Sequence, residues 1–122
     1  MSSSTQNTIA WILQALLAFA FTASGAMKFL HLSNTVTMFG SLGLPGYFAY
    51  LIAGGEVLGG IGLLVLGLVR PAALGLIIIM SGAVFMHATR IPGGFAKGVP
   101  ALVLLVLLFV VLLLRRPTSA AV

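Results

Sequence analysis

Four ionisable side chains lie within or at the ends of long apolar runs, where charged groups are rare. They are Lys28, Glu56, His87 and Arg90, and Glu56 is the only acidic residue in the chain. An ionised carboxylate deep in an apolar segment is costly unless it is neutralised, paired with a cation or turned towards a polar cavity. Glu56 is therefore the first candidate for proton transfer, and Lys28 and His87 complete the set of candidate catalytic residues.

The composition indicates an integral membrane protein. The chain is 61% hydrophobic and 6% charged, with a mean hydropathy of +1.24, whereas soluble domains carry about 25% charged residues. Its net charge of +5 comes from basic residues scattered at the ends of apolar runs, where anionic lipid surfaces attract them. We therefore expect the lipid bilayer, and not nucleic acid, as a partner.

The chain contains no cysteine. This excludes disulfides, iron–sulfur ligation and cysteine-bound zinc. We expect no metal site and no covalently attached cofactor, so any electron transfer must use a molecule that binds to the protein.

Four apolar runs predict four membrane-spanning helices in a single domain, residues 1–122. The runs cover about residues 8–30, 46–69, 72–89 and 99–114. About 20 residues cross the hydrocarbon core, so the last two spans are short and draw on flanking residues. The first run is too long for a signal peptide and is expected to remain as a span. The predicted fold class is an all-α integral membrane four-helix bundle.

The longest connector, residues 31–45, predicts a short interfacial helix between the first two spans. Ser33 or Asn34 could cap this helix. Its apolar residues would dip into the membrane interface; they are Val36, Met38, Phe39 and Leu42. Residues 43–46 (GLPG) then turn the chain, and a packed surface loop remains the alternative for this connector.

The topology predicts that three ionisable residues converge in one half of the bilayer. Lys28 ends the first span and His87 ends the third, while Glu56 lies about 15 Å along the second at 1.5 Å per residue. We therefore expect an amphipathic ligand pocket that opens towards the Lys28 and His87 end. Because the basic residues at the two sides nearly balance, the positive-inside rule favours cytoplasmic termini only weakly.

Other residues lie on the same helix faces as these three, since positions three, four or seven apart share a face. The predicted ligand-binding residues are Gln14, Phe21, Gly25, Gly60, Met80 and Arg90. The glycines among them leave room for either a cavity or close helix contact. Gly55 and Gly59 form a small-residue pair that favours packing within the bundle over a homodimer seam, and a homo-oligomer stays open.

Five short segments together resemble the DoxX-like family of small four-helix bacterial membrane proteins. They are residues 24–29 (SGAMKF), 43–45 (GLP), Glu56 with 59–64 (GGIGLL), 70–75 (RPAALG) and His87. The likeness runs from about residue 9 to residue 116. It implies a multi-pass protein of the bacterial inner membrane, with cytoplasmic termini and a link to redox biology. Lys28, Glu56 and His87 fall on the recurrent polar positions of that family.

The resemblance also suggests the ligand. Some relatives are small subunits of thiosulfate:quinone oxidoreductase, and others are membrane partners in oxidative-stress complexes. Because this chain has no cysteine for a sulfur relay, a quinone or another lipophilic small molecule is the expected ligand, with a redox protein as a possible partner. If the protein is an enzyme, it is an oxidoreductase subunit that uses quinone.

Two hypotheses of other classes remain open. A proton-coupled small-molecule exporter could use a lone membrane carboxylate such as Glu56. A non-catalytic assembly subunit could use the same polar cluster only to fix the register of its helices. Under either hypothesis Glu56 has one of two roles, proton carrier or member of a structural ion pair.

Overall fold

The computed structural model describes residues 3–89 and 98–115, and these residues form helices joined by short turns, with no β-strand among them. The helices are α1 (Ser3–Leu30), α2 (Leu32–Ser41), α3 (Tyr47–Gly62), α4 (Val69–Thr89) and α5 (Val99–Leu114), with a 3-10 turn at Leu66–Leu68. The all-α class is confirmed. The described residues form five α-helices instead of four because the connector 31–45 folds into α2.

The helix in this connector begins earlier than the sequence predicted. His31 is the N-cap residue of α2 and makes no side-chain capping bond, so Ser33 and Asn34 lie inside the first turn instead of capping it. The turn that follows α2 contains Gly43 at φ 83°. This left-handed conformation favours glycine because it has no Cβ to clash with the backbone.

The second predicted span, 46–69, is longer than the helix that forms there. α3 ends at Gly62, and α4 already begins at Val69, so that Pro71 lies in the first turn of α4. Glycine is a poor helix former, and the glycines before residue 63 end α3 while the apolar run continues. Proline is tolerated in a first turn because its missing N–H would be unpaired there anyway.

Two segments of the described chain are long and apolar enough to cross a membrane. They are Ser3–Leu30 with 28 residues and Leu66–Thr89 with 24 residues. The helices α3 and α5 have 16 residues each, or about 24 Å at 1.5 Å per residue. The short helices are therefore the second and fourth of the predicted spans, whereas the sequence indicated the third and fourth.

The bundle is apolar both inside and outside. α1 packs against α3 and α5, and α4 packs against the same two helices. Leu17, Phe21 and Leu76 belong to the buried core between them. Large apolar side chains are also exposed, including Phe19 at 77% and Ile78 at 73% of their surface. An outer surface of this kind suits apolar surroundings.

Glycines allow α1 and α3 to approach until their backbones touch. A Cβ atom at Gly25 would lie 2.6 Å from the Ala53 carbonyl oxygen, and one at Gly60 would lie 2.9 Å from the Thr22 amide nitrogen. The sequence left open whether Gly25 and Gly60 border a cavity or a close helix contact. The structure has the close helix contact. This contact sets the distance between the polar groups of α1 and α3.

Gly55 and Gly59 lie on another face of α3, towards α4. A Cβ atom at Gly55 would lie 2.9 Å from Cδ1 of Ile79, and one at Gly59 would lie 2.7 Å from the Leu76 side chain. This glycine pair thus packs against a helix of its own chain, as favoured by the sequence.

Candidate functional site

Lys28, Ser24 and Glu56 form a closed polar triangle between α1 and α3. Lys28 Nζ lies 2.7 Å from Glu56 Oε1 and donates to Ser24 Oγ at 2.9 Å. Ser24 Oγ in turn donates to Glu56 Oε2 at 3.0 Å. Because Ser24 and Lys28 are four residues apart, they share one face of α1, and a single helical turn supplies both partners of the carboxylate.

The two charges of this triangle differ in their access to the surroundings. The Glu56 side chain is 2% exposed, whereas that of Lys28 is 26% exposed. Within the described residues, Glu56 Oε1 has no partner other than the Lys28 ammonium. An ammonium carries three N–H donors, and two are directed at Glu56 and Ser24. The remaining donor of this partly exposed lysine has no partner among the described residues, and Glu56 lies behind it as a buried counter-ion.

Ser24 is the member of this triangle that the sequence analysis missed. The signal was present, since a hydroxyl four residues before a lysine on one helix can reach the same partner. Thr35 is a second missed residue. Its hydroxyl donates to the His31 carbonyl at 3.0 Å and lies 3.3 Å from the Lys28 carbonyl, which fixes the start of α2 against the end of α1.

His87 is half-buried near the end of α4. Its Nδ1 lies 2.9 Å from the Ala83 carbonyl oxygen, one turn earlier in the same helix. In the described part of the chain, no hydrogen bond or ion pair joins His87 to Lys28 or Glu56. The structure thus brings together two of the three predicted catalytic residues, and the catalytic role of His87 stays a prediction.

Most of the predicted ligand-binding residues pack between helices, and one lies outside the described residues. Phe21 and Met80 are buried in the core that α1, α4 and α5 share. Gly25 and Gly60 form the close α1–α3 crossing. Arg90 lies outside the described residues. The ligand-binding role of these residues stays a prediction.

Gln14 is buried in a second polar network, near the middle of α1. Its Nε2 donates to the Leu63 carbonyl at 2.7 Å, and its Oε1 accepts from Arg115 Nε at 2.7 Å. Gln14 and Lys28 are fourteen positions apart, which corresponds to about 21 Å of helix. Gln14 therefore ties the C-terminal ends of α3 and α5 to α1, and its hydrogen bonds place it away from the Lys28 and Glu56 pair.

This network makes a prediction about stability. Gln14→Leu keeps the approximate volume of the side chain but leaves the Leu63 carbonyl and Arg115 Nε without partners. We expect it to lower the free energy of unfolding by about 1–3 kcal/mol, the usual cost of orphaned buried polar groups. Unfolding in mixed detergent micelles measures this change. Thr8→Val, which removes an exposed side-chain bond within α1, is the control and should cost much less.

An open apolar groove of about 350 Å³ lies between α3 and α4. Its lining consists mainly of glycine and aliphatic residues: Gly55, Leu58, Gly59, Gly62, Leu68, Pro71, Ala72, Gly75, Leu76 and Ile79. Glu56 instead faces α1, where Lys28 and Ser24 hold it. The groove and the polar triangle therefore occupy different faces of α3.

Comparisons with known proteins identify one family and a partial relative. The sequence model of the DoxX-like family matches residues 12–111. A Bacillus subtilis (strain 168) protein named "Putative oxidoreductase CatD" is 38% identical over 50 residues, which are 41% of this chain and 37% of that protein. The match thus spans little more than a third of that relative. No solved structure matches the chain significantly.

Proposed function

The chain belongs to the DoxX-like family, and from this membership we propose that it is a multi-pass protein of the bacterial plasma membrane with cytoplasmic termini. The apolar outer surface of the bundle supports this location, as do the two described segments that are long enough to cross the membrane. The charged pair between α1 and α3 would then lie among apolar surroundings. Such intramembrane charges are costly and usually serve a function.

We further propose that the protein is a redox-associated subunit that binds a quinone or a similar lipophilic molecule at Lys28. The observation that carries this proposal is the fixed ammonium of Lys28, whose side chain is partly exposed. Ser24 and Glu56 hold Lys28 in one orientation while a third N–H stays available. The name of the partial relative from Bacillus subtilis, which contains the word oxidoreductase, points to the same class of chemistry.

Lys28 and Glu56 have separate tasks in this proposal. The Lys28 ammonium donates a hydrogen bond to a carbonyl oxygen of the ligand and stabilises negative charge that develops there. Glu56 holds the lysine in this orientation, and the pair can pass a proton to the same oxygen. A quinone supplies the redox chemistry when bound, and its electrons come from a partner protein.

A structural role for the ion pair is the second candidate. The direct 2.7 Å contact and the deep burial of Glu56 favour it, because a carboxylate closed off by its own lysine can fix the register of α1 against α3 with no ligand. Under this alternative, the protein is a non-catalytic assembly subunit. The two candidates differ in whether Lys28 recognises a small molecule.

Binding of a short-chain quinone to the purified protein in detergent distinguishes these candidates. The double variant Lys28→Gln/Glu56→Gln keeps two groups that can hydrogen-bond each other but removes both charges. We expect its affinity for decylubiquinone to fall about tenfold, since a hydrogen bond from a charged donor contributes about 1.5–3 kcal/mol. The control Arg70→Gln removes a charge at the other end of the bundle and should bind like the parent.

The remaining outcomes decide against the quinone proposal. Equal affinity in the double variant and the parent, with helix content unchanged, would leave the structural role. Efflux of a cationic dye is compared between cells that produce the parent and cells that produce Glu56→Gln. Loss of efflux in the variant, with quinone binding unchanged, would instead favour the proton-coupled exporter.

A further inference from the structure

Arg115, at the C-terminal end of α5, lies against one face of α1. Its Nε donates to Gln14 Oε1 at 2.7 Å, and its Nη1 donates to Asn7 Oδ1 at 2.8 Å. The centre of the guanidinium lies 5.5 Å from the centre of the Trp11 ring. Asn7, Trp11 and Gln14 are four and three residues apart, so they share a face of α1. Together they hold the arginine in one orientation.

One end of this guanidinium has no partner. Arg115 Nη2 is buried and makes no hydrogen bond within the described residues. Of the five N–H donors of an arginine, the described residues engage two, and both are directed at neutral amide oxygens. A buried donor without an acceptor is costly. The remaining donors therefore need an acceptor that the described side chains do not provide.

The charge of Arg115 also has no counter-ion on another side chain of this sequence. Glu56 is the only acidic residue, and it is paired with Lys28 near the other end of α1. Arg70 raises the positive charge at the Arg115 end, where its Nη1 donates to the Leu112 carbonyl at 2.7 Å. A cation held partly out of water without a counter-ion is unfavourable. An anion from outside the chain would relieve this cost.

We propose that Arg115 and Trp11 form a binding site for a phosphate group. The guanidinium retains an unused N–H on Nη1, at the exposed contact with Asn7, and a charged donor of this kind binds a phosphate oxygen. Trp11 keeps the guanidinium plane in place through a cation–π contact. In a membrane, the nearest phosphate belongs to the head group of a phospholipid, and tryptophan and arginine are both common at this depth.

The site is independent of the quinone site proposed above. Lys28 and Glu56 lie near the opposite end of α1, so loss of quinone binding would not affect a phosphate at Arg115. Only the lipid source of the phosphate depends on the proposed membrane location, whereas the phosphate chemistry depends on the arginine and its neighbours.

Trp11 provides a direct readout because it is the only tryptophan in the chain. The parent protein in an uncharged detergent is titrated with phosphatidylglycerol whose acyl chains are brominated, and quenching of Trp11 fluorescence reports binding. Brominated diacylglycerol, which lacks the phosphate, is the matched lipid control. We expect saturable quenching by the phosphatidylglycerol and at least about tenfold weaker quenching by the diacylglycerol, since one charged hydrogen-bonded contact accounts for that difference.

Variants test whether Arg115 is the binding group. Arg115→Gln should weaken phosphatidylglycerol binding about tenfold, and Arg115→Lys, which keeps the charge but loses the planar donors, should lie between it and the parent. Arg70→Gln removes an equal charge at the same end and should bind nearly as the parent does. Inorganic phosphate at millimolar concentration identifies the source: competition indicates a site for a free phosphate group, and no competition indicates a lipid head group.

Two results would overturn the proposal. In the first, Arg115→Gln binds phosphatidylglycerol as tightly as the parent, and Arg115 is then not the ligand. In the second, Arg70→Gln and Arg115→Gln lose affinity equally, which indicates general attraction between a basic surface and an anionic lipid instead of a site.

Discussion

Replacement of Lys28 by methionine is expected to lower the free energy of unfolding by about 3–5 kcal/mol, the usual cost of removing one partner of a buried ion pair. The carboxylate of Glu56 is almost fully buried, and its Oε1 depends on the Lys28 ammonium. In Lys28→Met, Ser24 alone remains beside it. The variant must then bury a carboxylate that has lost its counter-ion.

Removal of both charges should restore most of this stability. Lys28→Met/Glu56→Met replaces the pair by two flexible apolar side chains of similar length, and such exchanges are often neutral or stabilising. We expect the double variant to lie within about 1 kcal/mol of the parent. Glu56→Met alone should cost less than Lys28→Met, because the partly exposed Lys28 side chain can turn towards the surface.

The parent, the two single variants and the double variant form a double-mutant cycle. Their unfolding in mixed micelles with rising dodecyl sulfate is followed by helix content. A coupling energy of about 2 kcal/mol or more would establish that the two charges act as a unit. Additive effects of the single substitutions would contradict the ion pair seen between α1 and α3.

Gly25→Ala is expected to have the second largest effect. Its new methyl group would lie 2.6 Å from both the Ala53 carbonyl oxygen and Cγ2 of Val57. The carbonyl belongs to the backbone of α3 and cannot rotate away, so the two helices must move apart. We expect a loss of about 2–3 kcal/mol, within the range for an overpacked core.

The same substitution should also weaken the polar triangle. Gly25 lies between Ser24 and Lys28 on α1, and separation of α1 from α3 lengthens the contacts of both residues with Glu56. The effect of Lys28→Met should therefore be smaller in the Gly25→Ala background than in the parent. This test uses the same unfolding measurement.

Gly82→Ala is the matched control. Gly82 is exposed on α4, and a Cβ atom there would have no neighbour within 4 Å. Because alanine favours a helix more than glycine does, we expect equal or slightly higher stability. A loss in Gly82→Ala as large as in Gly25→Ala would show that chain flexibility, and not the close crossing, explains the effect.

Several features of this protein could be predicted from its sequence because they depend on composition and local pattern. The helical class follows from long apolar runs broken by proline and glycine, and the family resemblance came from short segments around Lys28, Glu56 and His87. The meeting of Lys28 with Glu56 also followed from simple depth along antiparallel helices. Pairing with a cation is one way to bury a lone carboxylate, and Lys28 was a cation at a compatible depth.

Other features depended on distances between helices that no local pattern contains. The end of α3 at Gly62 could not be predicted from the apolar run 46–69, because hydropathy does not reflect the weak helix propensity of glycine. His87 was expected with the Lys28 pair, yet its Nδ1 instead contacts the Ala83 carbonyl of its own helix. Depth along a helix does not determine the direction of a side chain.

The sequence by itself determined which groups need partners: one carboxylate, a few cations and a buried amide in an apolar chain. Only the tertiary structure decided which partners they have, because the close glycine crossing places Ser24 beside Glu56, and the packing of α5 against α1 places Arg115 beside Trp11. Residues that are more than a hundred positions apart, such as Asn7 and Arg115, come into contact only when the bundle closes. Local periodicity describes one helix at a time, whereas these contacts depend on the packing of several.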